Sequence, residues 1–231
     1  MAEMRLGYGS EYQLLRFLGH HRNELEQYIL KQTKINENRE YSIDWLDYPK
    51  KEAQDGEYVG LDFLNNELKK KLTGNWKKYW PQTGMPPNWD GIIYCSPVVP
   101  NSSLEDKWII VEAKAHLKEL DPPSGVKSKE SKKQIEEAFE QTQKRFNIKA
   151  KSSWLNKYYQ LANRLAFVNF MLDNGVQCSL LNIYFINGWP NDPEKNVTKI
   201  ETWKEKIRDE YSYLDINNEA KKYISEIFVS F

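Results

Sequence analysis

Trp108-Ile-Ile-Val-Glu-Ala-Lys114 decides the fold. Side chains alternate faces along a strand, so Trp108, Ile110, Glu112, Lys114 and His116 share one face. Ile109, Val111, Ala113 and Ala115 share the other. Both faces begin apolar, which marks a central strand covered on both sides by other layers. On the first face the apolar character then gives way to Glu, Lys and His, so the strand is expected to leave the core and enter a polar cleft. A charge at such a place costs roughly several kcal/mol unless it is paired or bound to a metal.

Upstream, Asn88-Trp-Asp-Gly-Ile-Ile93 opens a second strand-like run, 89–95, with Asp90 at its polar end. A polar loop from Pro97 to Asp106 separates it from the run 107–115, and the simplest topology is an antiparallel pair. Residues 10–32 repeat Leu14, Leu15, Leu18, Leu25 and Ile29 at helical spacing, with Ser10 as N-cap. Tyr41 to Tyr48 reads as a short strand ending at Pro49, and Asp55-Gly56 as a turn. A second helix is expected over 62–80, followed by an irregular approach through Gly84-Met-Pro-Pro87. Helices at 129–146 and 153–173 follow, the latter stopped by Gly175, and then a strand from Ser179 to Ile186. Two C-terminal helices at about 199–213 and 217–228 complete the expected order. There is no internal repeat, low-complexity tract or long linker, so a single α/β (α+β) domain over 1–231 is the economical reading.

The 231 residues are enough for a substantial core, and 40% hydrophobic with 29% charged residues is a globular composition. The formal net charge is zero, so no whole-molecule field draws the chain toward nucleic acid. The charge is uneven, however: Lys127 to Arg164 carries ten Lys or Arg against four acids. A solvated helix face and a nucleic-acid patch account for that span equally well. Cys95 and Cys178 lie inside strand-like runs and read as buried free thiols of a reducing cytosol. The N-terminal Met-Ala-Glu-Met-Arg-Leu-Gly lacks an apolar signal region, and no apolar run approaches the ~20 residues of a membrane span. A cytoplasmic location with no membrane partner is expected.

Glu-x-Lys by itself carries little, since Glu67-Leu-Lys69, Glu130-Ser-Lys132 and Glu219-Ala-Lys221 also occur, all in helix-like contexts. Only Glu112-Ala-Lys114 follows a buried strand. Two acids that gather a hard divalent cation beside a lysine suit phosphodiester hydrolysis. The competing structural account has Asp90 capping a turn before Gly91 and Glu112 pairing with Lys114 at the strand end. Gly-rich phosphate loops, Gly-x-Ser-x-Gly elbows and His-Glu-x-x-His pairs are absent, and three histidines leave little material for zinc schemes.

Asp90 on one strand and Glu112-x-Lys114 on the next, after an acid-bearing helix, resemble the PD-(D/E)xK nuclease superfamily. Within it the chain resembles bacterial members sharing the Trp-Asp and Val-Glu-Ala-Lys-Ala-His segments. The resemblance implies a restriction-endonuclease-like core over about 10–190: a mixed sheet of about four strands flanked by helices in the order αβββαβ, with additional helices. Two departures stand out: Trp89 precedes the motif aspartate where the nominal pattern has Pro, and the segment 62–80 is extra.

The resemblance implies that Asp90, Glu112 and the backbone carbonyl of Ala113 bind Mg²⁺, with Mn²⁺ as a substitute. It also implies that Lys114 orients or deprotonates the attacking water. Glu26, bordering the apolar stripe of the first helix, is the candidate for a further metal-binding acid; an Arg22–Glu26 ion pair is the equal alternative. Gln160, Asn163 and Arg164 stand together on one face of the helix at 153–173 and are candidates for lining the site, as are His116 and Glu119. The implied partner is nucleic acid, DNA foremost, met as a homodimer or larger complex. A non-catalytic binding module is the first alternative. The second is a structural component of a bacterial defence or repair system, with Trp76, Tyr79 and Trp80 as an exposed interface.

Overall fold

The computed structural model describes residues 8–36, 38–49, 56–83, 86–100, 102–190 and 192–230. The N-terminal heptapeptide, Asp55 of the expected turn and Gly84-Met85 lie outside the described residues. The element order is α1 (Ser10–His20), α2 (Arg22–Gln32), β1 (Tyr41–Trp45), β2 (Tyr58–Val59), α3 (Asn66–Tyr79), β3 (Asn88–Trp89), β4 (Gly91–Pro97) and β5 (Lys107–Lys114). A 3₁₀ turn (Leu117–Leu120) follows, then α4 (Lys129–Arg145), α5 (Tyr159–Asp173), β6 (Gln177–Ile186), α6 (Ile200–Tyr213), α7 (Asn218–Lys221) and β7 (Ile224–Ser230).

Five strands form one mixed sheet in the order β1-β4-β5-β6-β7. β1, β4 and β5 are antiparallel neighbours, as expected for the 89–95 and 107–115 runs. β6 lies parallel to β5 and β7 parallel to β6, so α4 with α5 and then α6 with α7 serve as crossovers. Both faces are covered. Trp108, Ile110, Leu180 and Tyr184 pack with α3, α4, α5 and α6 on one side. Ile109, Val111, Ala113, Ile183 and Phe185 pack with α1 and α2 on the other. The alternation read along Trp108–Lys114 is therefore the alternation between two cores.

Several expected elements are corrected. The helix at 10–32 is two helices broken at His21, and Ser10 is not a cap: Gly9 holds that position with no side-chain bond, while Ser10 Oγ reaches Glu119. The segment 62–80 becomes helical only at Asn66, where the Asn65 side chain accepts from Leu68 N at 2.9 Å. α5 starts six residues late because Tyr158, at φ 56°, turns the chain before it. It ends as read, with Gly175 just beyond it at φ +74°. The segment 217–228 is the largest revision: only Asn218–Lys221 is helical, and Ile224–Ser230 is a fifth sheet strand. Its alternation sends Ile227 and Val229 into one core and Ile224 and Phe228 against the other, a two-residue period that helical packing does not produce.

β5 and β6 end together beside α1. Gly9 N donates to Gly188 O at 3.0 Å and Gln13 Nε2 to the same oxygen at 3.3 Å. A Cβ on Gly188 would lie 2.9 Å from the Cβ atoms of both Ala115 and Phe185. Gly188→Ala is expected to lower unfolding free energy by about 1–3 kcal/mol in urea titration; an unchanged midpoint would show that this junction is looser than described.

Candidate functional site

Gly91 pairs with Val111 at the end of the β4–β5 ladder, so the next position outward sets Asp90 across from Glu112. Asp90 Oδ2 accepts from Ala113 N at 2.8 Å, a bond that ties the acid to β5 just past the paired residues. Tyr48 Oη donates to the Asp90 carbonyl. Glu112 faces the helical layer, where Lys114 Nζ binds its Oε1 and Arg164 binds its Oε2 through Nε and Nη2, both at 2.7 Å. Lys114 Nζ also donates to Gln160 Oε1 at 2.9 Å. Asp90, Glu112, Lys114, Gln160 and Arg164 thus come together, as the sequence pattern suggests.

Their setting differs from the open polar cleft expected. Glu112, Lys114 and Arg164 are 4%, 6% and 6% exposed, sealed beneath α5, whose residues 161–171 are buried throughout. Trp89 explains part of this. It is fully buried, its Nε1 donates to Gly60 O at 2.8 Å, and Arg164 lies 4.9 Å from its ring centroid. The aromatic ring directly before Asp90 therefore supports the guanidinium that holds Glu112. The pairing of Glu112 with Lys114 foreseen by the structural account is present, although Asp90 bonds to β5 rather than capping a turn.

The two acids differ in charge preference. Burial pushes the Asp90 carboxyl up to about 7, and the Glu112 charge adds to that despite opposition from Lys114 and Arg164. Burial also pushes Glu112 up, but Arg164 and Lys114 beside it more than offset this and leave it below the ordinary carboxylate range. Burial disfavours the Lys114 ammonium, yet Glu112 and Asp90 outweigh that and raise its pKa. Lys114 is a firmly protonated donor in this arrangement.

Asp90 is half-buried and forms part of the wall of a cavity of about 460 Å³, with Ser10, Glu11, Leu14, Tyr48 and Glu57 among its other lining residues. Glu26 is not brought here. The break at His21 puts it on α2, half-buried, where its carboxyl is raised mainly by burial and its charged neighbours are Arg22 and Asp44. Arg22 itself pairs with Asp47 at 3.7 Å. The helix acid lining the same cavity as Asp90 is Glu11. Gly19-His20-His21 was the available sign of the break, since one continuous helix was needed to aim Glu26.

Other candidates separate. Asn163 is buried with Oδ1 unpartnered. His116 caps the 3₁₀ turn by accepting from Lys118 N, and Glu119 accepts from Ala115 N at 2.8 Å; both fasten the end of β5. A residue missed by sequence reasoning is Glu210. It is 2% exposed and borders a void of about 10 Å³ with Glu112, Lys114, Asn182 and Tyr184, about the smallest space that holds one water. Burial pushes its carboxyl up to about 8, and its Oε2 has no partner. The stripe Trp203, Ile207, Glu210 on α6 was the sequence signal, an acid on an apolar helix face.

Oxygen donors of carboxylate type are what Mg²⁺ takes, and one or two suffice when waters complete the shell. Asp90 fits that role once it is ionised. Glu112 fits once Lys114 or Arg164 yields an oxygen. Among the described residues no three His, Cys, Asp or Glu side chains form a ready-made metal cluster. In the positive span 127–164, five of the ten Lys and Arg side chains are paired or internal. Lys132, Lys133, Arg145 and Lys151 pair with Glu136, Glu137, Asp173 and Asp215, and Arg164 is internal. Trp76, Tyr79 and Trp80 are buried, which removes them as an exposed interface. Cys95 and Cys178 are free and buried, and among the described residues no helix is long and apolar enough to cross a membrane.

The raised carboxyl of Asp90 carries a pH signature. Below about pH 4 native and unfolded chains both hold its proton; between about 4 and 7 only the native state does, so stability falls as pH rises through that window. Asp90→Asn removes this component. Urea titrations from pH 4 to 8 should show the variant gaining on wild type up to about pH 7 and no further. A gap that does not change with pH would contradict the assignment.

Comparison with known proteins assigns nothing further: no protein-family model, no curated protein and no solved structure matches this chain.

Proposed function

We propose that this chain is a Mg²⁺-dependent nuclease of PD-(D/E)xK type, acting on DNA or structured nucleic acid, built on a restriction-endonuclease-like core. The observation that carries the reading is the meeting of Asp90, Glu112 and Lys114 at the ends of two adjacent central strands, with Asp90 opening onto a cavity. The order α1, β1, β4, β5, α5, β6 follows the αβββαβ scheme, with β7 as an added edge strand.

In this reading Asp90, Glu112 and the Ala113 carbonyl hold Mg²⁺, for which Mn²⁺ substitutes. The metal supplies Lewis-acid stabilisation of the phosphoryl oxygens and eases deprotonation of water. Lys114, kept protonated by its neighbours, donates to the attacking water or to the developing phosphorane charge rather than removing a proton. Gln160 fixes the ammonium. Arg164 keeps Glu112 ionised.

The second reading is a nucleic-acid- or protein-binding module on the same fold without catalysis. It rests on the full occupation of Glu112 by Lys114 and Arg164, which a metal would have to disturb.

Cleavage of single-stranded, double-stranded and flap-bearing DNA and of RNA separates the two. Wild type with Mg²⁺ or Mn²⁺ should cut at least one substrate, EDTA should stop it, and Glu112→Ala and Lys114→Ala should each lower the rate by about 10²–10³-fold. Absence of metal-dependent cleavage on every substrate, or cutting undiminished in both variants, would overturn the nuclease.

A further inference from the structure

A second cavity, of about 320 Å³, lies where the chain leaves β5, against the N-terminal end of α6. Its lining includes His116, Lys118, Lys195, Thr198, Lys199 and Thr202. His116 is 6% exposed. Its Nδ1 accepts from Lys118 N at 2.9 Å, so in the neutral ring the proton sits on Nε2. Nε2 has no hydrogen-bond partner among the described residues, yet it is not one of the sealed unpartnered atoms. A donor on an otherwise buried ring that lines this space is therefore left open and unpartnered.

The other groups are donors too. α6 has fourteen residues and begins at Ile200; its N-cap, Lys199, is extended and makes no side-chain cap bond. The first backbone N–H groups of that helix thus lack a capping side chain, at its positive end. Lys118 and Lys199 have no ion-pair partner among the described residues, while Lys195 pairs with Asp192 at 3.1 Å and approaches the Trp189 ring. Glu194 is the one acid in the lining. Threonine hydroxyls, an imidazole N–H, two unpaired ammonium groups and a helix N-terminus together suit a tetrahedral, multiply accepting anion.

We propose that this pocket is a phosphate-binding subsite, and that it takes a backbone phosphate of the nucleic acid adjoining the one held at Lys114. His116 follows Lys114 by two residues, no more than about 7 Å along the backbone, so the pocket lies at the same end of β5 as Lys114. The phosphate chemistry stands on the pocket itself; its nucleic-acid source rests on the nuclease reading.

The test uses the full chain with ¹⁵N-labelled histidine at fixed pH, in EDTA, where only three histidines give signals. Inorganic phosphate is added first, then single-stranded and duplex oligonucleotides. Both probes should move the His116 Nε2 resonance, and Lys118→Gln with Lys199→Gln should weaken each response about tenfold. A shift with phosphate and none with oligonucleotides would overturn the nucleic-acid source and leave a free-phosphate site. No shift with either would overturn the subsite. Cleavage is scored separately with metal. A chain that cuts nothing yet shows the phosphate shift loses the nuclease reading and keeps the pocket. Cutting with unchanged KM in the double variant overturns the role on substrate.

Discussion

Glu112 is an ionised carboxylate inside the protein, and much of the surrounding structure can be understood from what keeps it there. Arg164 and Lys114 occupy both of its oxygens. Removing either from water without the others would cost several kcal/mol, roughly. Each partner is in turn held: Lys114 by Gln160, one turn before Arg164 on α5, and Arg164 by the Trp89 ring. The requirement to satisfy one acid at the end of β5 therefore ties together the central strand, the crossover helix and the short antiparallel pair of β2 and β3 that carries Trp89.

The same constraint divides the labour between the acids. The Asp90 carboxyl, beside the neighbouring strand, has among the described residues only the Ala113 N–H as a direct hydrogen-bond donor and stands next to a charge of its own sign. It is the acid that retains its proton toward neutrality and the one that meets the larger cavity. Glu112 is ionised but engaged; Asp90 is reachable but reluctant to ionise. A divalent cation would relieve both conditions, favouring ionised Asp90 and competing with Lys114 and Arg164 for Glu112. Glu210 lies behind this group as another acid made reluctant by burial, so charge in the interior is kept near balance.

The sheet and the acid–lysine set were legible because they rest on strong local signals. Trp108–Lys114 alternates cleanly, and its apolar faces map onto the two cores. Asp90, Gln160 and Arg164 were legible because each interrupts an apolar context. What failed depended on tertiary detail. Ile224–Ser230 is short enough to fit a helix or a strand, and only pairing with β6 decides it. The turn at His21 moved Glu26 from the expected place, and the helix acid lining the cavity is Glu11 on α1. Burial of Glu112 could not be read either, because it follows from α5 lying over the strand end rather than from β5 itself.

The central claim is that Asp90 and Glu112 form a metal site that competes with an internal ion-pair network. Calorimetric titration with Mn²⁺, comparing wild type with Asp90→Asn and Glu112→Gln at pH 6 and pH 8, tests it most directly. The account predicts one site, lost in both variants, tighter at pH 8, with proton release at pH 6 as Asp90 gives up its proton. Absence of Mn²⁺ binding in the wild type, or binding that survives both substitutions, would contradict it.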